Sequence, residues 1–220
     1  MKPFKEQKMI KVNDKKKEEK KKEDDKIELP DGDSILEELL GAAPKKEIRT
    51  IALFGDVDEE KSLELIIGLL SLTEFTDKER PYDPIKFYIS TYGGSADEMF
   101  SIYDMMNIVK KDCEIETVGL GKVMSAGTLL LAAGTKGKRK IGKHCRVMIH
   151  AVAAGSAGEL HDIENEMKSI KHIQELYINA LAKETCMTKR TIQKLLDRRV
   201  NVYLTAEEAI EYGIADEIIN

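Results

Sequence analysis

At 220 residues, with 42% apolar residues, 5% aromatic residues and no tryptophan, the chain can form one ordinary globular domain plus an appended segment, cored by aliphatic side chains and methionine. A net charge of −5 argues against general nucleic-acid affinity, and Cys113, Cys145 and Cys186, widely spaced and without a C-x-x-C pair, argue against a disulfide framework or structural zinc. The longest apolar stretches, such as 63–72, fall far short of the roughly 20 residues of a membrane span, and the lysine-bearing N-terminus lacks an apolar h-region, so the expectation is a soluble, cytoplasmic protein.

Residues 1–34 are dominated by Lys, Glu and Asp, with an uninterrupted charged run over 15–26. Such a segment cannot bury enough apolar surface to offset its ordering entropy. Residues 1–45 are therefore expected to be a charged, flexible extension, with a short amphipathic helix over 34–40 that starts at the Ser34 cap and ends before Gly41.

The folded domain is expected over 46–220. Strand character over 48–54 ends at Gly55-Asp56, and helical periodicity follows over 58–73 through Leu63, Ile66, Ile67, Leu69 and Leu70. A second strand is predicted over 85–90, the Gly93-Gly94 turn leads to a helix over 96–109, and a third strand over 116–123 precedes a helix over 126–133. A strand over 146–150 follows the turn at 134–137. Residues 159–183 predict one long helix, with an apolar stripe of Leu160, Ile163, Met167, Ile170, Ile173, Tyr177, Ala180 and Leu181. A helix this long near the end of a domain either packs on its own core or projects into a neighbouring subunit. A helix over 188–196 and a helix-turn element over 205–212, closed by Gly213, complete the pattern. Thr205 and Glu208 have capping-box spacing. Strands alternating with helices predict an α/β fold with a largely parallel sheet.

Ser125 falls where a strand gives way to a small-residue helix start, and His150 closes a strand 25 residues later. Such a turn exposes a serine Oγ, and the first amides of a helix are free to bind an oxyanion. With a histidine ending a nearby strand, the arrangement predicts a serine hydrolase. His144, His161 and His172 lack ligand spacing with any Cys or carboxylate cluster, and no metal or cofactor is expected. Met99, Ile102, Met105 and Met106 are read as core or subunit interface.

Several blocks, taken together, carry a resemblance. They are Tyr88-Ile89-Ser90-Thr91-Tyr92-Gly93-Gly94-Ser95, Met124-Ser125-Ala126-Gly127, the Leu131-to-Arg139 run, Arg146-Val147-Met148-Ile149-His150, and Tyr203 through Asp216. In this order and spacing the chain resembles the ClpP family, the proteolytic subunits of the ATP-dependent Clp protease, within the ClpP/crotonase superfamily. The resemblance implies an α/β fold of repeated ββα and βαβ units with a projecting handle helix. It implies a homo-oligomer of heptameric rings, two of them stacked, that hydrolyses unfolded polypeptides delivered by an AAA+ unfoldase, with no cofactor and no nucleic-acid or membrane partner.

By the same resemblance, Ser125 is the nucleophile, His150 the base, and the backbone amides of Gly94 and Ala126 the oxyanion hole. Gly93, Ala153 and Gly155 fall in substrate-binding stretches. The family's third triad member is usually an aspartate, and Asn201 stands at that position. An amide oxygen can accept the imidazole N–H, as in Cys-His-Asn proteases, but brings no full charge. Asp197, one helical turn earlier, is an alternative orienter. The proline that usually follows the histidine is replaced by Ala151-Val152, and Arg199-Val200 replaces an acidic-basic pair that commonly links the rings. Alternative readings are a phage capsid maturation protease on the same fold, or a weakly active or non-catalytic ring subunit. Acyl-CoA chemistry on the same fold would leave Ser125 and His150 without purpose.

Overall fold

The alternation of short strands and longer helices folds into a mostly parallel sheet with helices packed on it. The computed structural model describes residues 48–74, 82–155, 157–198 and 200–220, all within the unit Glu47–Asn220. The expected extension over 1–45, its short helix and Arg199 lie outside the described residues.

Strands β1 (Thr50–Phe54), β2 (Ile85–Thr91) and β3 (Ile115–Met124) run parallel side by side. Beyond β3 the sheet divides. The first half of β3 pairs with β4 (Arg139–Gly142), which pairs with β7 (Glu217–Ile219), all parallel. Its second half pairs in parallel with β5 (Arg146–Ile149), which carries the antiparallel strand β6 (Val202–Leu204). Gly121, at φ +64°, lies between the two halves of β3 and supplies a backbone conformation that most residues avoid.

Helix α1 (Glu59–Ser71) starts where the Asp58 carboxylate accepts the Lys61 N–H at 2.9 Å, with Glu59 and Glu60 favourably placed in its first turn. It buries Leu65 and Leu69 but leaves Leu63 and Ile67 exposed. Helix α2 (Ala96–Val109), capped by Ser95, buries Met99, Ile102, Tyr103, Met106 and Val109, the three-and-four spacing of a core-facing stripe. Met105 is only partly buried against the same core. Helix α3 (Ala126–Ala132) is buried on every side. A Cβ on its Gly127 would lie 2.5 Å from Thr91 Cγ2, so glycine is what lets α3 sit directly on β2.

The long helix α4 spans Leu160–Glu184. Only its C-terminal part is buried, through Tyr177, Ile178, Ala180, Leu181 and Glu184, whereas Leu160 is 74% exposed and Met167 48% exposed. The predicted stripe is thus continuous in sequence but meets the core over its last two turns alone. The N-terminal turns leave the core, as a projecting helix must. Helices α5 (Lys189–Leu196) and α6 (Ala206–Glu211) follow, the latter opened by a complete Thr205–Glu208 capping box.

A buried arginine ties the far side of the domain together. Arg139, 4% exposed, donates to the carbonyls of Ala132, Glu184 and Gly213 and forms an ion pair with Asp216. Burial pushes the Asp216 carboxyl up, but hydrogen bonds and charge from Arg139 outweigh it and hold the group below its ordinary range. These contacts join the ends of α3, α4 and α6, and the residue before β7, to the start of β4.

Candidate active site

Parallel pairing decides which residues meet. Thr91 of β2 registers with Val123 of β3, and Met124 of β3 with Met148 of β5. The residues that follow these strands therefore emerge at one edge of the sheet: Gly93-Gly94 after β2, Ser125 after β3, and His150 after β5. Carboxyl ends of parallel strands are where open α/β sheets present their ligands.

Ser125 is the N-cap of α3 and, among the described residues, the one non-glycine residue at positive φ, with φ +54° and ψ −118°. Such a conformation costs about 1–3 kcal/mol and persists only where the surroundings enforce it. Its N–H donates to the Met148 carbonyl at 2.8 Å, and its own carbonyl accepts from the Thr128 amide at 3.0 Å and from the Tyr177 hydroxyl at 3.1 Å. The Thr128 hydroxyl also donates to Met148 O at 2.9 Å, tying α3 to β5. The turn places Ser125 Oγ 2.7 Å from His150 Nε2. Burial lowers the His150 pKa below the usual 6.5, so the ring is neutral and can accept the hydroxyl proton at neutral pH.

The Gly-Gly turn is shaped by close approach. A Cβ on Gly93 would lie 2.6 Å from Ser125 Cβ, and one on Gly94 would lie 2.2 Å from the Val57 carbonyl oxygen. Gly93 O accepts the Val57 N–H and Ser95 N–H donates to Val57 O, both at 2.8 Å. These bonds pin the residues on either side of Gly94. The Ala126 N–H, first in α3, precedes the intrahelical ladder.

A cavity of about 340 Å³ joins these groups. Ser125, His150, Gly94 and Ala126 line it, with Tyr92, Met99, Ile173 and Tyr177 supplying apolar wall. The sequence model of the Clp protease family matches residues 42–220. The chain belongs to the Clp protease family. Members of that family are typically serine peptidases, and the parallel sheet with alternating strands and helices is consistent with the ClpP fold.

Other predicted positions fare differently against that family pattern. Ala153 lines the cavity together with Ala151 and Val152, whereas Gly155 is exposed and is not among its lining residues. Asn201 and His150 share a smaller adjoining cavity with Ala151, Leu196 and Val200. Asn201 is exposed, and among the described residues no hydrogen bond joins it to His150. Asp197, the C-cap of α5, is exposed and does not line that cavity. Val200 is 62% exposed.

Tyr177 enters the site without having been singled out beyond its place in the apolar stripe. The available signal was its type, since a buried tyrosine needs a partner for its hydroxyl. Among the described residues no three His, Cys, Asp or Glu side chains converge in a way that could hold a metal ion, and no helix is long and apolar enough to cross a membrane.

Proposed function

We propose that this chain is a serine endopeptidase, the proteolytic subunit of a ring-shaped compartmental protease that hydrolyses unfolded polypeptides. The observation that carries the reading is the 2.7 Å contact between Ser125 Oγ and His150 Nε2 inside the cavity, where burial lowers the imidazole pKa and favours the neutral ring. In this reading Ser125 Oγ attacks the scissile carbonyl carbon while His150 Nε2 takes the hydroxyl proton. The carbonyl oxygen becomes an oxyanion held by the amides of Gly94 and Ala126. Collapse of the adduct expels the amine, which receives the proton from His150, and leaves an acyl-enzyme that water cleaves by the reverse sequence.

For Nε2 to accept, the ring proton must sit on Nδ1, and the Asn201 side-chain oxygen is the proposed acceptor. The stretch containing Ala153 and Gly155 is the proposed backbone for an extended peptide to pair with, whereas Gly93, buried and with its N–H on Thr91 and its carbonyl on Val57, contributes by shaping the turn. Residues 46–220 form the protease domain and 1–45 a charged extension. The exposed apolar turns of α4 favour assembly into heptameric rings, two stacked face to face, served by an AAA+ unfoldase.

Labelling by a serine-directed fluorophosphonate, abolished in Ser125→Ala, with the intact protein sized in solution, tests both the chemistry and the ring. One observation favours a second reading. Asn201 is exposed and makes no hydrogen bond to His150, and burial is what shifts the imidazole, so the base has no charged orienter among the described residues. A weakly active or non-catalytic ring subunit would size as a ring yet resist labelling.

A further inference from the structure

We propose that Tyr177 is a positioning residue for the nucleophile turn: its hydroxyl, delivered by α4, fixes the peptide plane between Ser125 and Ala126. The proposal rests on reading Ser125 as the nucleophile. Ser125 O is the acceptor of the Tyr177 hydroxyl at 3.1 Å. In a trans peptide that carbonyl points opposite to the N–H of the next residue. The next residue is Ala126, whose N–H faces the developing oxyanion in the proposed mechanism. Holding the carbonyl on its buried side therefore aims the amide at the cavity, and a hydrogen bond to the carbonyl polarises the same amide toward stronger donation.

The turn needs such a hold. Ser125 sits at φ +54°, ψ −118°, a conformation that local sequence does not favour. Two of its backbone contacts, to Met148 O and from Thr128 N, come from β5 and from α3 itself. The third comes from a helix far along the chain, at the depth where α4 first becomes buried. Tyr177 is 5% exposed, its ring walls the cavity, and burial raises its pKa well above the tyrosine range, so the phenol remains a donor at every working pH.

Tyr177→Phe keeps the ring and its burial and deletes the donor alone. Acylation by a fluorophosphonate is measured on the full chain, separated into the limiting rate and the half-saturating probe concentration, alongside thermal melts. Ile178→Val serves as the comparison, because Ile178 is buried on the same turn of α4 and makes no contact with Ser125 in the hydrogen-bond network. The expected result is a limiting rate about three- to tenfold lower in Tyr177→Phe at an unchanged half-saturating concentration. Ile178→Val is expected to lose stability and keep the parent rate per folded site. Tyr177→Met, which also lacks the donor, should show a drop at least as large.

An unchanged limiting rate in Tyr177→Phe, or a drop matched by Ile178→Val, overturns the positioning role while the peptidase reading stands. So does an effect confined to the half-saturating concentration. A parent protein that takes no label overturns both.

Discussion

Replacing Asn201 with aspartate asks whether the imidazole lacks a charge or only an acceptor. His150 is half-buried, and burial lowers its pKa, with no carboxylate contributing among the described residues. In the proposed acylation the transition state turns this ring into an imidazolium, so burial that favours the neutral ring also opposes its protonated form. A carboxylate at position 201 would reverse that balance. Unit charges about 4 Å apart attract by about 1 kcal/mol in water and about 4 kcal/mol at the effective dielectric of a protein surface. At about 1.4 kcal/mol per decade these limits correspond to roughly fivefold and 10³-fold in rate. Because Asn201 is exposed, the lower half of that interval applies, and we expect Asn201→Asp to accelerate fluorophosphonate labelling by about 5- to 70-fold. That is well below the roughly 10⁴ lost when a buried triad acid becomes an amide.

The pH dependence gives the sign independently. In the parent, a lowered His150 pKa places the acid limb of labelling below the ordinary imidazole value of 6.5. In Asn201→Asp the limb should move upward, because the carboxylate favours the imidazolium. The gain is then largest at neutral pH and shrinks as the medium is acidified. Labelling rates across this range for the parent, Asn201→Asp and Asp197→Asn decide the matter, with Asp197→Asn expected to match the parent. An unmoved limb and an unchanged rate in Asn201→Asp would refute the idea that position 201 faces the ring. A loss in Asp197→Asn would transfer the orienting role to α5.

Three further outcomes follow from the packing. Ser125→Gly removes label as completely as Ser125→Ala but relieves the positive φ, so it should melt about 2–4 °C above the alanine variant, the shift for about 1 kcal/mol in a domain of this size. Gly94→Ala must move the Val57 backbone, since its Cβ would sit 2.2 Å from Val57 O. It should lower both the melting temperature and, by about 10²-fold or more, the labelling rate. Arg139→Ala removes a donor from the carbonyls of Ala132, Glu184 and Gly213 and the ion pair from Asp216, which keeps backbone N–H partners from residues 137 and 139, so a loss of about 3 kcal/mol, the low end for a broken buried pair, predicts a melting temperature lower by about 6–12 °C, read by calorimetry.

Where a turn or cap signal adjoins an apolar run, the sequence was a sufficient guide. The helix expected over 96–109 after the Gly93-Gly94 turn is α2, its apolar Met99, Ile102 and Met106 in the core, and Thr205 with Glu208 opens α6 as their spacing implied. Strands β4, β6 and β7 were not anticipated. They are four, three and three residues long, too short for alternation to register, and each exists because a neighbouring strand offers a ladder. The α4 stripe shows the opposite failure. Its period is plain, but periodicity says which residues share a face and not what that face meets. Ser125 and His150 could be suspected from strand ends, yet their meeting depends on the Met124–Met148 register, a fact of pairing that the 24 intervening residues do not encode locally. The hydroxyl of Tyr177 finds a backbone carbonyl, which carries no residue-type signal at all.

The site is consequently uneven in how firmly it is held. On the nucleophile side, Ser125 is fixed by its amide, by two bonds to its carbonyl, by the Gly93 backbone against its Cβ, and by a fully buried helix behind it. A strained φ survives only under such redundancy, and a redundancy of this kind has no evident use unless Oγ must stand in one place. On the base side, His150 has Ser125 as its hydrogen-bond partner, and the nearest candidate orienter is an exposed amide. The imidazole can therefore rotate away at little cost when Oγ is modified or removed. This asymmetry predicts that variants loosening the nucleophile turn lose limiting rate, whereas supplying charge at 201 raises it. In the proposed peptidase reading the strain at Ser125 has a use, to stand Oγ beside His150, and a protein that took no label would leave that strain without one.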